Sequence, residues 1–552
     1  MILLAIHHQI LNPAGNVFLS TVLALVPVAF LLVMLAVFRV TAWLSVLIGS
    51  VVTFLLGALV WQAPVSEAVH AYLYGSATGV WNVDWITFWG VIIFNTLQLT
   101  GNFDRFKTWL ISQATADIRI QTILLAWAFG ALLEGLVGFG YPWAVVAPLL
   151  IGFGVVEIDA IRVAAIANNA PVSYGALGAP IIALAAVTQI PLLELSASIG
   201  RLVAILAILP PFVLIYLVSG WKGLKGGWPL GVVGCLAYVA GQYPTSQFLG
   251  PYLPDVIGSL VCFGALLLLL KVWRPRTILG YGGVEIIPGS ASAPAPIGGG
   301  ATPQARPMTG REVFLALLPF LILIVVVVLW TGPWSALPKF IPFKASVASL
   351  SSLTGKKVVT AFVWAPFVAG SAILASWIVM VLVLRPGAGV LAAVFRKTFQ
   401  QMWGALLVGF FIFGLAYVFI YSGMSNTMAF GFSKIGFWFI VLAPVLGWIG
   451  VALSGSNTST NVLFGAFQLS VGRILGAPLL LLPSLNSVGA EVGKPVAPQT
   501  ASVGVSTTTY VRNEGAVIRH NMGWTLVLLG YLILIGLLYF FVLPGAMSYT
   551  LK

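Results

Sequence analysis

Apolar residues in this chain gather into long unbroken runs, not into the alternation of a half-buried strand or the one-sided spacing of a helix in water. A helix needs about 20 apolar residues to cross roughly 30 Å of hydrocarbon. Runs of that kind lie at about 16–38, 41–62, 81–101, 191–219, 226–242, 253–271, 310–331, 362–384, 402–423 and 522–543. Four more apolar stretches, about 120–154, 157–190, 435–475 and 477–508, are interrupted by Gly, Pro, Ser, Thr and Asn. Reading 120–154 and 435–475 as re-entrant hairpins and the other two as interrupted spans predicts an all-α polytopic membrane protein with about 12 crossings. The amphipathic stretch 102–117 is expected to lie on the cytoplasmic interface.

Composition makes lipid the solvent. Of 552 residues 60% are hydrophobic and 7% charged, against about 25% charged in a soluble domain. The net charge of +13 then reports topology, and a nucleic-acid partner is not expected. With 12 crossings, 17 of the 26 basic residues fall on the cytoplasmic side and 8 outside, with Lys494 inside a break. The main exception is the loop after 331, with four lysines. This orientation places both termini outside the cytoplasm, and Met1–Asn16 carries no basic start or cleavage pattern of a removed signal peptide. Cys235 and Cys262 sit in apolar runs, and the four histidines have no ligand spacing. No HExxH and no GxxxxGK[ST] occurs, so neither a metalloprotease nor an ATP-driven pump is indicated. No metal, cofactor or enzymatic activity is expected, and a homo-oligomer is left open.

Residues 275–309, rich in Pro, Gly, Ala and Ser, read as a flexible cytoplasmic linker between a first half, 1–274, and a second half, 310–552. The halves resemble each other. Leu133-Glu134-Gly135 matches Leu453-Ser454-Gly455 at an offset of 320, and Asn168 matches Asn486 while 175–183 match 493–501 at 318. Both copies run span, hairpin break, second break, span. An odd number of crossings separates them, which gives inverted repeats with discontinuous helices at the membrane midplane.

Unpaired backbone cannot face lipid, so the breaks at 134–140, 168–180, 454–461 and 491–500 are expected to line one wet cavity. Restarting half-helices offer free N–H groups and positive dipole ends, which suit a carboxylate. Asn169, Ser173, Tyr174, Asn457, Thr458, Ser459, Gln499 and Thr500 are the candidate ligands of a small polar anion. Lys494 is a candidate counter-charge. Glu134, an acid deep in an apolar run, is the candidate proton carrier or else the structural partner of Lys494.

At these motifs, Glu134-Gly-Leu-Val-Gly-Phe-Gly-Tyr-Pro142, 169–181, 454–464 and 493–500, the sequence resembles the L-lactate permease family. The resemblance implies proton-coupled import of a 2-hydroxymonocarboxylate such as L-lactate or glycolate across a prokaryotic cell membrane, by a scaffold part and a mobile transport part. One proton carried with one monovalent anion would make the cycle electroneutral. Asn457 departs from the family's usual Gly-Ser-Asp-Thr-Ser, and Tyr141 and Trp143 are bulkier than the small residues expected there. The alternatives are a sodium-coupled carrier using oxygens near 454–461, and a membrane sensor or enzyme, for which no signalling module and no nucleophile dyad is found.

Overall fold

The computed structural model describes residues 6–113, 115–138, 140–286, 308–506 and 508–549, so most of the linker expected at 275–309 lies outside the described residues. The chain is predominantly helical. Among the described residues ten helices are long and apolar enough to cross a membrane, or eleven with the bent pair Glu157–Ala167 and Val172–Thr188, which meet at 70°. This differs from twelve for geometric reasons. Two of the ten are only the first limbs of hairpins, Ala369–Leu384 is short, and Leu192–Phe248 is two antiparallel helices joined at Gly220. There Gly231 lies against Phe212, Gly227 against Ile215 and Gly234 against Pro211.

Gly220 makes that reversal with φ 65° and ψ −167°, a conformation open essentially to glycine alone. A Cβ there would meet nothing within 4 Å, so the strain is purely conformational. Gly220→Ala is expected to cost about 1–3 kcal/mol, read as a lowered thermal midpoint of the purified protein with its oligomeric profile unchanged.

Outer helices and inner helices differ in what they bury. Val17–Ala36 and Gly310–Thr331 are each 28% buried over their apolar window and show residues such as Phe18, Leu329 and Val325 outward, as a lipid-facing helix should. Ile118–Leu136 is 100% buried. Its chain doubles back after Gly138 and Gly140, both left-handed, into Tyr141–Gly152, and Gly130 returns against Val146. Phe439–Ser454 doubles back at Gly455 into Asn457–Leu475, where the Gln468 amide donates to the Ala443 carbonyl. Both hairpins thus keep their broken backbone inside protein.

The second interrupted piece is Leu481–Gly493, a short 3-10 turn, and Pro498–Val505. Packing between the halves is reciprocal. Tyr141–Gly152 lies on Pro498–Val505 while Asn457–Leu475 lies on Gly175–Thr188, and Glu157–Ala167 meets Glu514–Phe541 while Leu481–Gly493 meets Leu192–Leu206. Likewise Ala42–Leu59 packs on Ala388–Ser422, and Ala369–Leu384 on Trp85–Leu99. Ser173 and Glu491, equivalent positions 318 residues apart, touch each other: the Ser173 N–H donates to Glu491 Oε1 at 2.6 Å. A residue meets its own repeat equivalent only near a two-fold axis.

Two features depart from an all-helical chain with a loose linker. The lysine-bearing loop after 331 contains an antiparallel hairpin, Phe343–Leu350 with Lys357–Trp364, and His7–His8 adds a short parallel strand to it. At the other end of the fold 275–286 is ordered, with Leu279 N–H donating to Asp117 Oδ2 and Arg119 donating to the Thr277 carbonyl. Asn102–Gln113 forms the short amphipathic helix that its pattern predicts.

Candidate substrate cavity

Two long helices form one wall. Val65–Leu99 and Ala388–Ser422 cross antiparallel through glycines, with the Gly75 Cα so close to the Phe413 carbonyl that a Cβ would stand 2.3 Å from it. Facing them, all four breaks come together around a cavity of about 540 Å³. The first break contributes Glu134, Gly138 and Tyr141, and the second Gly175, Ala176 and Pro180. The third contributes Ser454–Ser459, and the fourth Lys494, Gln499 and Thr500. Local chemistry explains the restarts. Ser456 caps Asn457–Leu475 by accepting from the Ser459 N–H at 3.2 Å, and Pro498 opens the last half-helix at a position that needs no N–H. Ala176, Leu177 and Gly178 are all left-handed, a strained run of the kind that clusters at functional sites.

Among the described residues the one lysine on the cavity wall pairs with a glutamate. Lys494 Nζ lies 2.5 Å from Glu134 Oε1, and the Asn168 amide donates to Glu134 Oε2 at 3.0 Å. Both charged residues are at most 5% exposed. Gly175 makes the approach feasible, since a Cβ there would be 2.6 Å from Glu134 Oε1. The pair draws one partner from each half. Its repeat equivalents, Ser454 and Ala176, are small and neutral, so the symmetry of the backbone is not a symmetry of charge.

Of the ten residues the sequence nominates, Glu134, Asn457, Thr458, Ser459, Lys494, Gln499 and Thr500 line the cavity. Asn169, Ser173 and Tyr174 do not. They are fully buried one layer behind, because the second break turns its small residues, not its polar ones, to the opening. Tyr174 donates to the Ser196 carbonyl at 2.6 Å, and Ser173 bonds Ser487 at 2.9 Å. Asn169 has neither amide atom satisfied by a partner in the described structure. The wall is stiffened from behind by Asn461, which donates to the Pro180 carbonyl and Ser487, and by Asn486, which donates to Asn461.

Chain-wide comparison agrees with the motifs. The L-lactate permease family model matches residues 20–544. The chain belongs to the L-lactate permease family. It is 33% identical to the glycolate permease GlcA of Escherichia coli K12 over 97% of this chain and 98% of that one. It is 30% identical to the L-lactate permease of the same strain over 94% and 95%, and 32% identical to that of Bacillus subtilis 168 over 93% and 95%. Among solved structures, the YdaH transporter of Alcanivorax borkumensis is a distant likeness, at 16% identity and a TM-score of 0.47, covering 96% of this chain and 100% of that one.

The places where this L-lactate permease family member departs from the expected motif have local explanations. Asn457 donates to Ser173 Oγ at 3.4 Å and leaves its Oδ1 without a partner. Tyr141 lines the cavity, packs edge-on against Phe94 and accepts from Gln98 at 3.2 Å. Trp143 points away from it, fully buried against Gly504. The sequence reading missed Asp84, which also lines the cavity, and Asp255, fully buried with Oδ1 accepting from Tyr238 at 2.9 Å.

Proposed function

We propose that the protein imports a small 2-hydroxymonocarboxylate, L-lactate or glycolate, together with a proton. The buried contact between Lys494 and Glu134 on the cavity wall carries this reading. In the empty site Glu134 neutralises Lys494. An arriving carboxylate competes for the same ammonium, and with Lys494 turned to the substrate, Glu134 is left as an unpaired carboxylate in a dry wall, where binding a proton is the less costly state. Anion and proton therefore bind together. Neither travels well alone, since the loaded site without the proton holds an excess negative charge.

Asn457, Thr458, Ser459, Gln499 and Thr500 surround the site with hydroxyl and amide groups that suit a 2-hydroxyl, and the helix starts at 457 and 498 direct N–H groups and dipoles to a carboxylate. Asn169, Ser173 and Tyr174 support the wall without touching substrate. The cavity runs towards Leu35, Trp43 and Trp403, the side on which Arg39 follows helix 17–36 and Arg396 and Lys397 lie in the first turns of helix 388–422. With basic loops cytoplasmic this is the inward-open state of a multi-pass protein of the bacterial cell membrane. The reciprocal packing of the halves supplies the outward-open state by exchanging their arrangements.

Counterflow of labelled lactate, glycolate, pyruvate and acetate into proteoliposomes tests both substrate and coupling. Lactate and glycolate are expected to exchange best, and uptake driven by a pH gradient is expected to survive replacement of external sodium by choline. Glu134→Gln is expected to keep lactate exchange and to weaken its response to pH. An unchanged pH response in that variant removes Glu134 from the proton role.

A further inference from the structure

Asp84 is the one carboxyl on the cavity wall that the ion pair leaves unused. It sits on the last residue of a π-helical turn, Gly79–Asp84, in the middle of helix 65–99, and such turns recur at functional positions. Asp84 is 7% exposed, and its Oδ2 has no hydrogen-bond partner. The helix opposite makes room for it: a Cβ on Gly409 would stand 2.3 Å from Asp84 Oδ1. The nearby Thr87 hydroxyl is committed to the Val83 and Asp84 carbonyls.

No described lysine, arginine or histidine forms an ion pair with Asp84 from the elements packed on this turn. Glu67 on 65–78 is bonded by Tyr421, and Lys397 on 388–422 by Gln98. Helix 175–188 brings no charged side chain, and Arg385 stands at the far end of 369–384. Across the cavity stand Glu134, Lys494 and Tyr141. With Glu134 and Lys494 cancelling, an ionised Asp84 would give the cavity one net negative charge, and a monocarboxylate would enter against it. In a partly dry site that repulsion weakens binding by roughly tenfold or more. A single carboxyl without a surrounding set of oxygens is also a poor sodium site.

We infer that Asp84 is a second proton-binding site of the cavity, filled when the anion binds, so that a full load is one monocarboxylate with two protons, one at Glu134 and one at Asp84. This rests on the proton-symport reading above and adds a second site on the opposite wall. Such a load carries net positive charge, so the membrane potential would assist import as well as the pH gradient.

Linkage makes the count measurable, because each proton taken up with the anion changes its dissociation constant about tenfold per pH unit where the free site is deprotonated. L-Lactate affinity would be measured by equilibrium exchange in proteoliposomes of the full chain, at equal pH on both sides, across the range where lactate stays ionised. The wild type is expected to lose more than tenfold per pH unit towards alkaline pH, approaching about 100-fold, and Asp84→Asn about tenfold. A wild-type slope of tenfold that Asp84→Asn leaves unchanged overturns the second site and spares Glu134. A flat wild-type profile sinks proton coupling altogether. Should Asp84→Asn fail to fold, proton uptake per bound lactate by the wild type in weakly buffered detergent decides the matter: more than one supports Asp84, and one or fewer rules it out.

Discussion

Lys494→Met is expected to abolish lactate uptake and to cost about 3–5 kcal/mol of stability, because it strands the Glu134 carboxylate in a wall where it is 1% exposed. The single loss misstates what the pair contributes. Removing both charges with Glu134→Gln and Lys494→Met together is expected to return most of the stability, since replacing a buried ion pair by neutral groups is often near neutral. Transport would not return. Melting of the single and double variants, with counterflow on the folded ones, separates the two effects. If Lys494→Met alone melts like the wild type, Glu134 does not depend on this lysine and the competition proposed for the substrate carboxylate fails.

The second large effect is steric. Limb 439–454 of the second hairpin lies directly on helix 481–493 through glycine. A Cβ on Gly489 would stand 2.2 Å from the Pro444 carbonyl, one on Gly447 2.1 Å from the Asn486 carbonyl, and one on Gly493 2.7 Å from the Trp448 carbonyl. At Gly489 and Gly447 the nearest obstacle is backbone, which cannot rotate away as a side-chain tip can, and at Gly493 backbone stands beside the Val451 side chain. Gly489→Ala is expected to cost about 1–3 kcal/mol as the helices separate. Lys494 follows directly after this helix, so the shift also displaces the ammonium from Glu134 and uptake falls more than stability does. Gly523→Ala, in a helix where a Cβ meets nothing within 4 Å, serves as the control. Equal melting temperatures for the two variants would contradict the close packing.

Much of this was legible from hydropathy and punctuation. The four breaks and their convergence follow from the cost of unpaired backbone in lipid, and Glu134 and Lys494 stood out because charge is so scarce. Asp84 did not stand out. Ser66, Glu67, His70, Tyr72, Ser76 and Thr78 make the first turns of helix 65–99 polar, so the apolar run begins at about 81 and puts Asp84 at an apparent membrane edge, where the structure has it near mid-helix. Of these, Ser76 and Thr78 are buried where helix 388–422 and the β-hairpin pack on this helix, Glu67 is bonded by Tyr421, and Ser66 and His70 stay exposed. The β-hairpin was hidden for a related reason: its strands are short and half-exposed, and Lys344 and Lys357 lie within them. Tyr174 was misplaced because sequence shows that a break is polar but not which side of it turns to the cavity.

That the central ion pair joins the two halves has a consequence for how the chain is made. Glu134 leaves the ribosome 360 residues ahead of Lys494, which at ordinary synthesis rates is roughly 20–70 s. For that interval the first hairpin has neither its cation nor the restart at 498 that its second limb packs against. Its broken backbone has no cover from the second half either. The ion pair of the first hairpin and the packing of its second limb on the last half-helix therefore form only after the fourth break has been made.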